Sequence, residues 1–342
     1  MTMMTLIISS IQLGLIYAVM AMGIYTTFRI LNVPDLTVDG SFVLGMAVSA
    51  VLVLGGHPYL ALLAAIVVGA LAGSVTGLLQ TKVGIHPILA GILVMTGLYT
   101  VNLAIMGGKA NLSVAGKSTL FTRMDSFLTE ASYRLRHLFN PGGTGAGLEE
   151  KEALLTDIRK FLVKYSIGKT LLALLFCILL FLILAIFYKT KLGLAIRATG
   201  DNEDMVRSSS INANLTKCIG LAIGNACVAL SGALLSQHQM STDINSGSGM
   251  VVIGLASVII GETIFGRHSV TTGLLSAVAG SVIYRIIIAL ALKYNMFPAY
   301  ALKLVSAVIV ALALSIPVII AGMKQGRLRR EARNYVRTEE RK

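Results

Sequence analysis

The chain has 342 residues, of which 55% are hydrophobic and only 13% are charged. Soluble domains carry about 25% charged residues, so this chain has too little charge to cover a surface that faces water alone. The formal net charge is +13, but the basic residues lie at the ends of apolar stretches and in the tail 324–342, which is typical of membrane proteins and argues against nucleic-acid binding. The predicted fold class is therefore all-α, a polytopic transmembrane helical bundle with the lipid bilayer as its solvent.

A spanning helix needs about 20 apolar residues. Long runs without charged residues predict nine spans, in a range of eight to ten, and Arg285 is the exception within one of them. The first run lacks a basic segment before it and is too long for a signal peptide, so we expect a retained first helix. A hairpin at 55–58 divides the second run into two spans. The runs are 1–28, 40–81, 83–108, 171–188, 218–240, 244–261, 268–292 and 304–323.

These runs predict four parts of the chain. Residues 1–108 form a first transmembrane half with four spans, and 109–170 form a long extracytoplasmic loop. Residues 171–323 form a second half with five spans, which includes a cytoplasmic segment at 189–217, and 324–342 form a basic tail. The tail has eight basic and three acidic residues, so we expect it in the cytoplasm. Each span moves the chain to the other side of the membrane, so counting spans back from the tail places 189–217 in the cytoplasm and 109–170 outside. The long loop is itself rich in Lys and Arg, but loops of about 60 residues cross the membrane regardless of charge.

Small residues indicate close helix packing inside the bundle. Gly69, Gly73 and Gly77 recur every four residues, a spacing that lets helices approach closely in lipid. We also expect no enzymatic site, metal or cofactor in this chain, because the histidines are scattered and the three cysteines lie in apolar runs. Two stretches, 111–118 and 163–170, resemble a P-loop, but each lacks its first glycine.

Two polar stretches, 29–41 and 237–249, interrupt the apolar pattern at corresponding places in the two halves. Broken elements of this kind point to a transport site and to an internal inverted repeat. The alternative is a pair of ordinary interfacial loops in which Asp39 or Ser41, and Asn245 or Ser246, cap the helices that follow. Both interpretations stay open. The candidate residues of the translocation path are Asn32, Asp35, Asp39, Ser41, Asp243, Asn245 and Ser246.

Two charged residues lie within or beside predicted spans. Arg285 is expected to reach the headgroups from its span, with pore lining as the alternative. Glu262 is expected at the inner interface, where it forms an ion pair with Arg267 or contacts a cytoplasmic partner.

The segment 189–212 is the most informative of the predicted cytoplasmic parts. Asp201 is predicted to cap a short helix at 202–209, with Glu203 and Asp204 in its favourable first turn. A short helix held along the membrane forms a rigid projection that a soluble motor can grip. Composition alone indicates only an amphipathic cytoplasmic loop.

The run 193–212, G-L-A-I-R-A-T-G-D-N-E-D-M-V-R-S-S-S-I-N, resembles the coupling-helix region of ABC importer permeases of the branched-chain amino acid and ribose type. That family reads G-x-x-x-R-A-x-G-x-N-x-x-A-A-x-x-x-G-I-N, and the departures here are Met205, Val206 and Ser210. Residues 17–40 and 254–262 resemble two further blocks of the family, with Glu262 where glycine is usual. The resemblance covers nearly the whole chain except the long loop and the tail. Residues 29–42 resemble the subgroup of tryptophan/tyrosine uptake permeases.

The resemblance implies a permease subunit of an ATP-driven importer in the bacterial cell membrane, working as a homodimer or as one member of a pseudo-symmetric pair. ABC ATPase subunits would bind ATP and the cytoplasmic face, and an extracytoplasmic solute-binding protein would deliver a small solute, an aromatic or branched-chain amino acid. The alternative is an ion-coupled secondary transporter without an ATPase, in which Asp35 and Asp39 carry a proton or sodium ion. The residues implied in ATPase coupling are Gly193, Arg197, Ala198, Gly200, Asp201, Asn202, Glu203, Asp204, Met205, Ile211 and Asn212.

Overall fold

The computed structural model describes residues 3–139, 166–209, 211–266 and 269–293, together with residues 304, 307, 308, 311 and 315. Within these residues the chain is almost entirely helical, and eight helices are long and apolar enough to cross a membrane. This confirms the predicted all-α bundle. The predicted span 304–323 and the tail 324–342 lie outside the described residues apart from those five positions.

The elements follow one another with short connections. The first helix continues into a π-helical turn, Thr26–Ile30, and a 3-10 helix, Ile244–Gly247, precedes the helix Met250–Phe265. The two strands are β1, Asn111–Ser113, and β2, Ser241–Asp243. The helices are α1 Met3–Tyr25, α2 Thr37–Leu54, α3 Pro58–Thr81, α4 Pro87–Ile105, α5 Leu120–Phe139, α6 Ile167–Phe187, α7 Lys191–Asp201, α8 Glu203–Ser208, α9 Ala213–Gln239, α10 Met250–Phe265 and α11 Val270–Lys293.

Local sequence signals explain several of these boundaries. The predicted hairpin at 55–58 is confirmed, because α2 ends at Leu54 and α3 begins at Pro58. Pro58 and Pro87 both stand in the first turn of their helices, where a missing N–H costs nothing and the fixed φ suits the helix. Thr190 caps α7, since its hydroxyl accepts a hydrogen bond from the Gly193 N–H.

The helix α9 is central to the bundle and packs against α1, α2 and α3. The predicted glycine ridge of α3 lies on this interface. A Cβ at Gly69 would meet the Asn225 carbonyl oxygen, and one at Gly73 would meet the Leu221 carbonyl oxygen. The two helices therefore approach to backbone contact, as the spacing of the ridge predicted.

The predicted long loop contains secondary structure in its described part. Strand β1 pairs antiparallel with β2 in the register Asn111↔Asp243, so the start of this segment is fixed to the chain that follows α9. The amphipathic helix α5 then packs against α6 and inserts Phe121 into the core. Residues 109–139 are thus part of the folded bundle rather than a free connection.

Candidate functional site

The chain reverses direction between the π-helical turn and α2. Asn32 has a left-handed backbone with φ 55°, a conformation that asparagine tolerates better than most residues. The fully buried Asp35 carboxylate accepts hydrogen bonds from the Thr37 N–H at 2.9 Å and from the Asn225 amide at 2.6 Å. Asp35 therefore fixes the start of α2 to the middle of α9.

Asp39, one turn further along α2, holds the beginning of a second helix. Its two carboxylate oxygens accept hydrogen bonds from the Gly249 and Val251 N–H groups, both at 2.9 Å. The first N–H groups of a helix have no partner within the helix, and here a carboxylate supplies one together with a favourable charge. A Cβ at Gly247 would overlap the Asp39 carbonyl oxygen, so the 3-10 helix packs directly on α2.

A cavity of about 300 Å³ lies beside this junction, between α2, α4 and the 3-10 helix with the residues that follow it. It is at the small end of the range that holds small-molecule ligands. Of the predicted path residues, Asp39 and Asn245 line it. The full lining is Asp39, Gly40, Val43, Met95, Thr96, Tyr99, Asn102, Ile244, Asn245, Gly247 and Ser248.

The other predicted path residues have different positions, outside the cavity lining. Asn32 is exposed at the chain reversal, and Asp35 is fully buried against α9. Ser41 is also fully buried, and its hydroxyl has no hydrogen-bond partner among the described residues. The Asp243 carboxylate accepts from the Asn245 N–H at 2.8 Å and so caps the 3-10 helix, in which Ser246 is half-buried.

The alternative prediction, that Asp39 or Ser41 and Asn245 or Ser246 cap the helices that follow them, is wrong. Asp39 lies inside the first turn of α2 and caps α10 instead of its own helix. Gly249, with φ 86°, occupies the cap position of α10, so neither Asn245 nor Ser246 caps that helix. The two polar stretches do meet in space, as a translocation site requires, and the path assignment itself stays a prediction.

One wall of the cavity comes from α4, whose residues the sequence analysis missed. Met95, Thr96, Tyr99 and Asn102 belong to a run that reads as an ordinary apolar span. Asn102 could have indicated this wall from the sequence, because burying an amide within a membrane span costs free energy unless the amide is hydrogen-bonded. Asn102 is buried, and its Nδ2 donates to the Gly40 carbonyl at 3.1 Å.

The predicted coupling segment forms two short helices, α7 and α8, that rest on the turn before the chain reversal. A Cβ at Gly200 would overlap the Ile30 carbonyl oxygen, so α7 touches that backbone directly. The Thr199 and Thr216 hydroxyls share a hydrogen bond of 2.8 Å, which joins α7 to α9. The first turn of α7 is held in a similar way, because Gly193 packs on the Phe187 carbonyl.

The cap of α8 is Asn202, so the prediction that Asp201 caps a helix at 202–209 is wrong. The Asn202 side chain accepts from the Met205 N–H at 3.0 Å, whereas Asp201 is the last residue of α7. Asn212 caps α9 in the same manner by accepting from the Leu215 N–H at 3.1 Å. The two caps fix α8 between α7 and α9 through short turns.

Most predicted coupling residues are accessible. Val206 is fully buried and anchors α8 in the protein, while the preceding residue, Met205, is 53% exposed. Glu203 forms ion pairs with Lys217 and Arg207, and its bond to Lys217 lowers the pKa of the Glu203 carboxyl below its usual value. The remaining exposed residues of the set are Arg197, Asp201, Asn202, Asp204, Ile211 and Asn212, and Ala198 is half-buried.

Two charged residues have partners that the sequence did not reveal. Glu262 pairs with Arg29 at 2.7 Å, which ties the end of α10 to the π-helical turn, and the predicted partner Arg267 lies outside the described residues. The Arg285 guanidinium lies 3.7 Å from the centroid of the Tyr17 ring, a cation–π contact that neither predicted alternative included.

Comparisons with known proteins agree along most of the chain. A family model described as "Branched-chain amino acid transport system / permease component" matches residues 6–314. A Clostridioides difficile protein named "Tyrosine transport system permease protein" is 35% identical over 305 residues, 89% of this chain and 88% of that protein. An uncharacterized protein of Rickettsia prowazekii is 33% identical over 262 residues, 77% of this chain and 79% of that protein. No solved structure gives a significant match.

Proposed function

The chain belongs to the branched-chain amino acid transport system permease family, and on that premise we propose that it is the membrane subunit of an ATP-driven importer for a small solute, an aromatic or branched-chain amino acid. The match confirms the family resemblance drawn from 193–212 and two other blocks. The name of the Clostridioides relative favours an aromatic amino acid as cargo. The protein is multi-pass, and we place it in the bacterial cell membrane with the tail 324–342 in the cytoplasm.

The proposed assembly contains two copies of this chain. ABC ATPase subunits bind the cytoplasmic face and hydrolyse ATP, and an extracytoplasmic solute-binding protein delivers the cargo. In this orientation α7 and α8 lie on the cytoplasmic side. The exposed Met205 and the exposed acidic residues around it are the surface offered to the ATPase.

The contact between Gly200 and Ile30 carries the proposed mechanism. A displacement of α7 by the ATPase presses on the Ile30 backbone, immediately before the reversal at Asn32. That reversal leads to α2, whose first turn holds α10 through Asp39. The cavity lies at this junction, so motion of α7 can reach the cavity wall through these backbone contacts and hydrogen bonds.

The test is substitution of the exposed Met205 by aspartate in a complex with the candidate ATPase and solute-binding protein. We expect Met205→Asp to abolish co-purification of the ATPase, because a charge replaces the apolar contact. Val83→Asp is the control, since Val83 is 65% exposed, follows α3 at the proposed cytoplasmic end and lies outside α7 and α8. Equal ATPase recovery with the two variants would refute the proposed docking surface.

A further inference from the structure

Asn102, one of the residues that line the cavity, has a buried side-chain acceptor that the described part of the chain leaves unused. Asn102 is 1% exposed, and its Nδ2 donates to the Gly40 carbonyl oxygen. That bond fixes the orientation of the amide, because a carbonyl oxygen in the same place would face another acceptor. The Oδ1 atom is buried without a hydrogen-bond partner in the described part of the chain.

The described lining of the cavity contains an acidic residue and no basic one. Asp39 alone carries a charge among the described residues of the lining, and it is negative. The N–H groups of Gly249 and Val251, which would attract an anion to the start of α10, are already bound to Asp39. A ligand carboxylate would therefore meet an occupied helix terminus and a like charge.

The other lining groups fit the rest of a small ligand. Met95 and Val43 are apolar, and the Tyr99 side chain, which is 51% exposed, offers an aromatic face near the opening. Asn245 and Ser248 are exposed polar residues that can donate or accept hydrogen bonds at the mouth. Thr96 contributes little, because its hydroxyl donates to the Ile92 carbonyl at 2.8 Å.

We propose that the cavity recognises the ammonium group of its ligand through the Asp39 carboxylate and through the Asn102 Oδ1, which the ligand reaches by displacing the side chains that cover it, with the ligand body against Tyr99 and Met95. The ligand class is a small primary amine with an apolar or aromatic body. The inference rests on the proposed transport function and deepens it, because it states which end of an amino acid enters the cavity first. The carboxylate end then remains at the mouth, beside Asn245 and Ser248.

The test compares three indole ligands on the purified full-length chain in lipid vesicles that contain no other protein. The chain contains no tryptophan, so indole fluorescence reports the ligand alone. Tryptamine has the ammonium group without the carboxylate, indole-3-propionate has the reverse, and L-tryptophan has both. We expect tryptamine and L-tryptophan to bind at least about tenfold more tightly than indole-3-propionate, as the loss of a charged hydrogen bond requires.

Variants then assign this preference to the cavity. Asn102→Leu should weaken tryptamine binding about tenfold or more and leave indole-3-propionate unchanged. Thr263→Val is the control outside the cavity, because the Thr263 hydroxyl bonds to the Ile259 carbonyl of its own helix, and it should change neither. Equal binding of tryptamine and indole-3-propionate to the unmodified chain would overturn the proposal even if Asn102→Leu fails to fold. Undiminished tryptamine binding by folded Asn102→Leu would also overturn it.

The outcomes separate this inference from the proposed function. Loss of the amine preference with intact association of the ATPase would remove only the ammonium site. Absence of ATPase association with the amine preference intact would remove the proposed importer and leave the ligand site standing.

Discussion

Replacing Gly200 by alanine tests the contact through which α7 acts on the chain reversal. The new Cβ would overlap the Ile30 carbonyl oxygen and lie 2.9 Å from the Leu31 Cα, and neither backbone atom can rotate away. Overpacking of this kind costs about 1–3 kcal/mol. Alanine gains about 1 kcal/mol over glycine in a helix, so the net loss of stability is about 0–2 kcal/mol.

A matched control isolates the steric contribution. Gly97 is a helical glycine of α4 at which an added Cβ would meet no atom within 4 Å, so Gly97→Ala gains the helix preference without a clash. The two variants should differ in free energy of unfolding by about 1–3 kcal/mol, measured by denaturing-detergent titration. In the reconstituted complex, Gly200→Ala should lower uptake per ATP hydrolysed about fivefold or more, the size of a typical coupling energy. Identical behaviour of both variants in uptake and stability would refute the role of this contact.

Two further predictions concern ion pairs. The ion pair of Arg29 and Glu262 should have a coupling energy of about 1 kcal/mol or more, because the Glu262 side chain is only 5% exposed. A double-mutant cycle with Arg29→Met, Glu262→Gln and the double variant measures this energy, and additive effects on the free energy of unfolding would contradict the prediction. Lys217 lowers the Glu203 pKa from its ordinary 4.5, so the ion pair stabilises α8 above that pH and is lost as pH falls through the lowered pKa. A spin label at Asp204→Cys should gain mobility only below about pH 4.5, and Glu203→Gln should remove this pH-dependent change. If the change in mobility persists in Glu203→Gln, the ion pair is not its cause.

The spans could be predicted because each depends on a local property of the sequence. An apolar run of sufficient length crosses the bilayer whatever it packs against, and the glycines of α3 repeat at the period of a helix face. The turn at 55–58 could be predicted equally well, because two glycines there favour the end of one helix and the proline favours the start of the next. The inverted repeat requires comparison of the two halves and stays a prediction.

The candidate site could be predicted only in part, because its partners are distant in sequence. Asp39 and Gly249 are joined by a hydrogen bond across 210 positions, and Arg29 and Glu262 across 233. No local pattern shows that α4 closes the cavity with Asn102. The cap of α8 was misplaced by one residue, because aspartate and asparagine are both good caps and the backbone decides which one reaches the N–H three residues on.

The most direct measurement of the central claim is uptake by proteoliposomes in which ATP is supplied only on the side that carries α7 and α8. With the ATPase and the solute-binding protein present, we expect accumulation of radiolabelled L-tyrosine that requires hydrolysable ATP and is lost with Met205→Asp. Accumulation by vesicles that contain this chain alone, driven by a proton or sodium gradient, would contradict the account and favour the ion-coupled transporter.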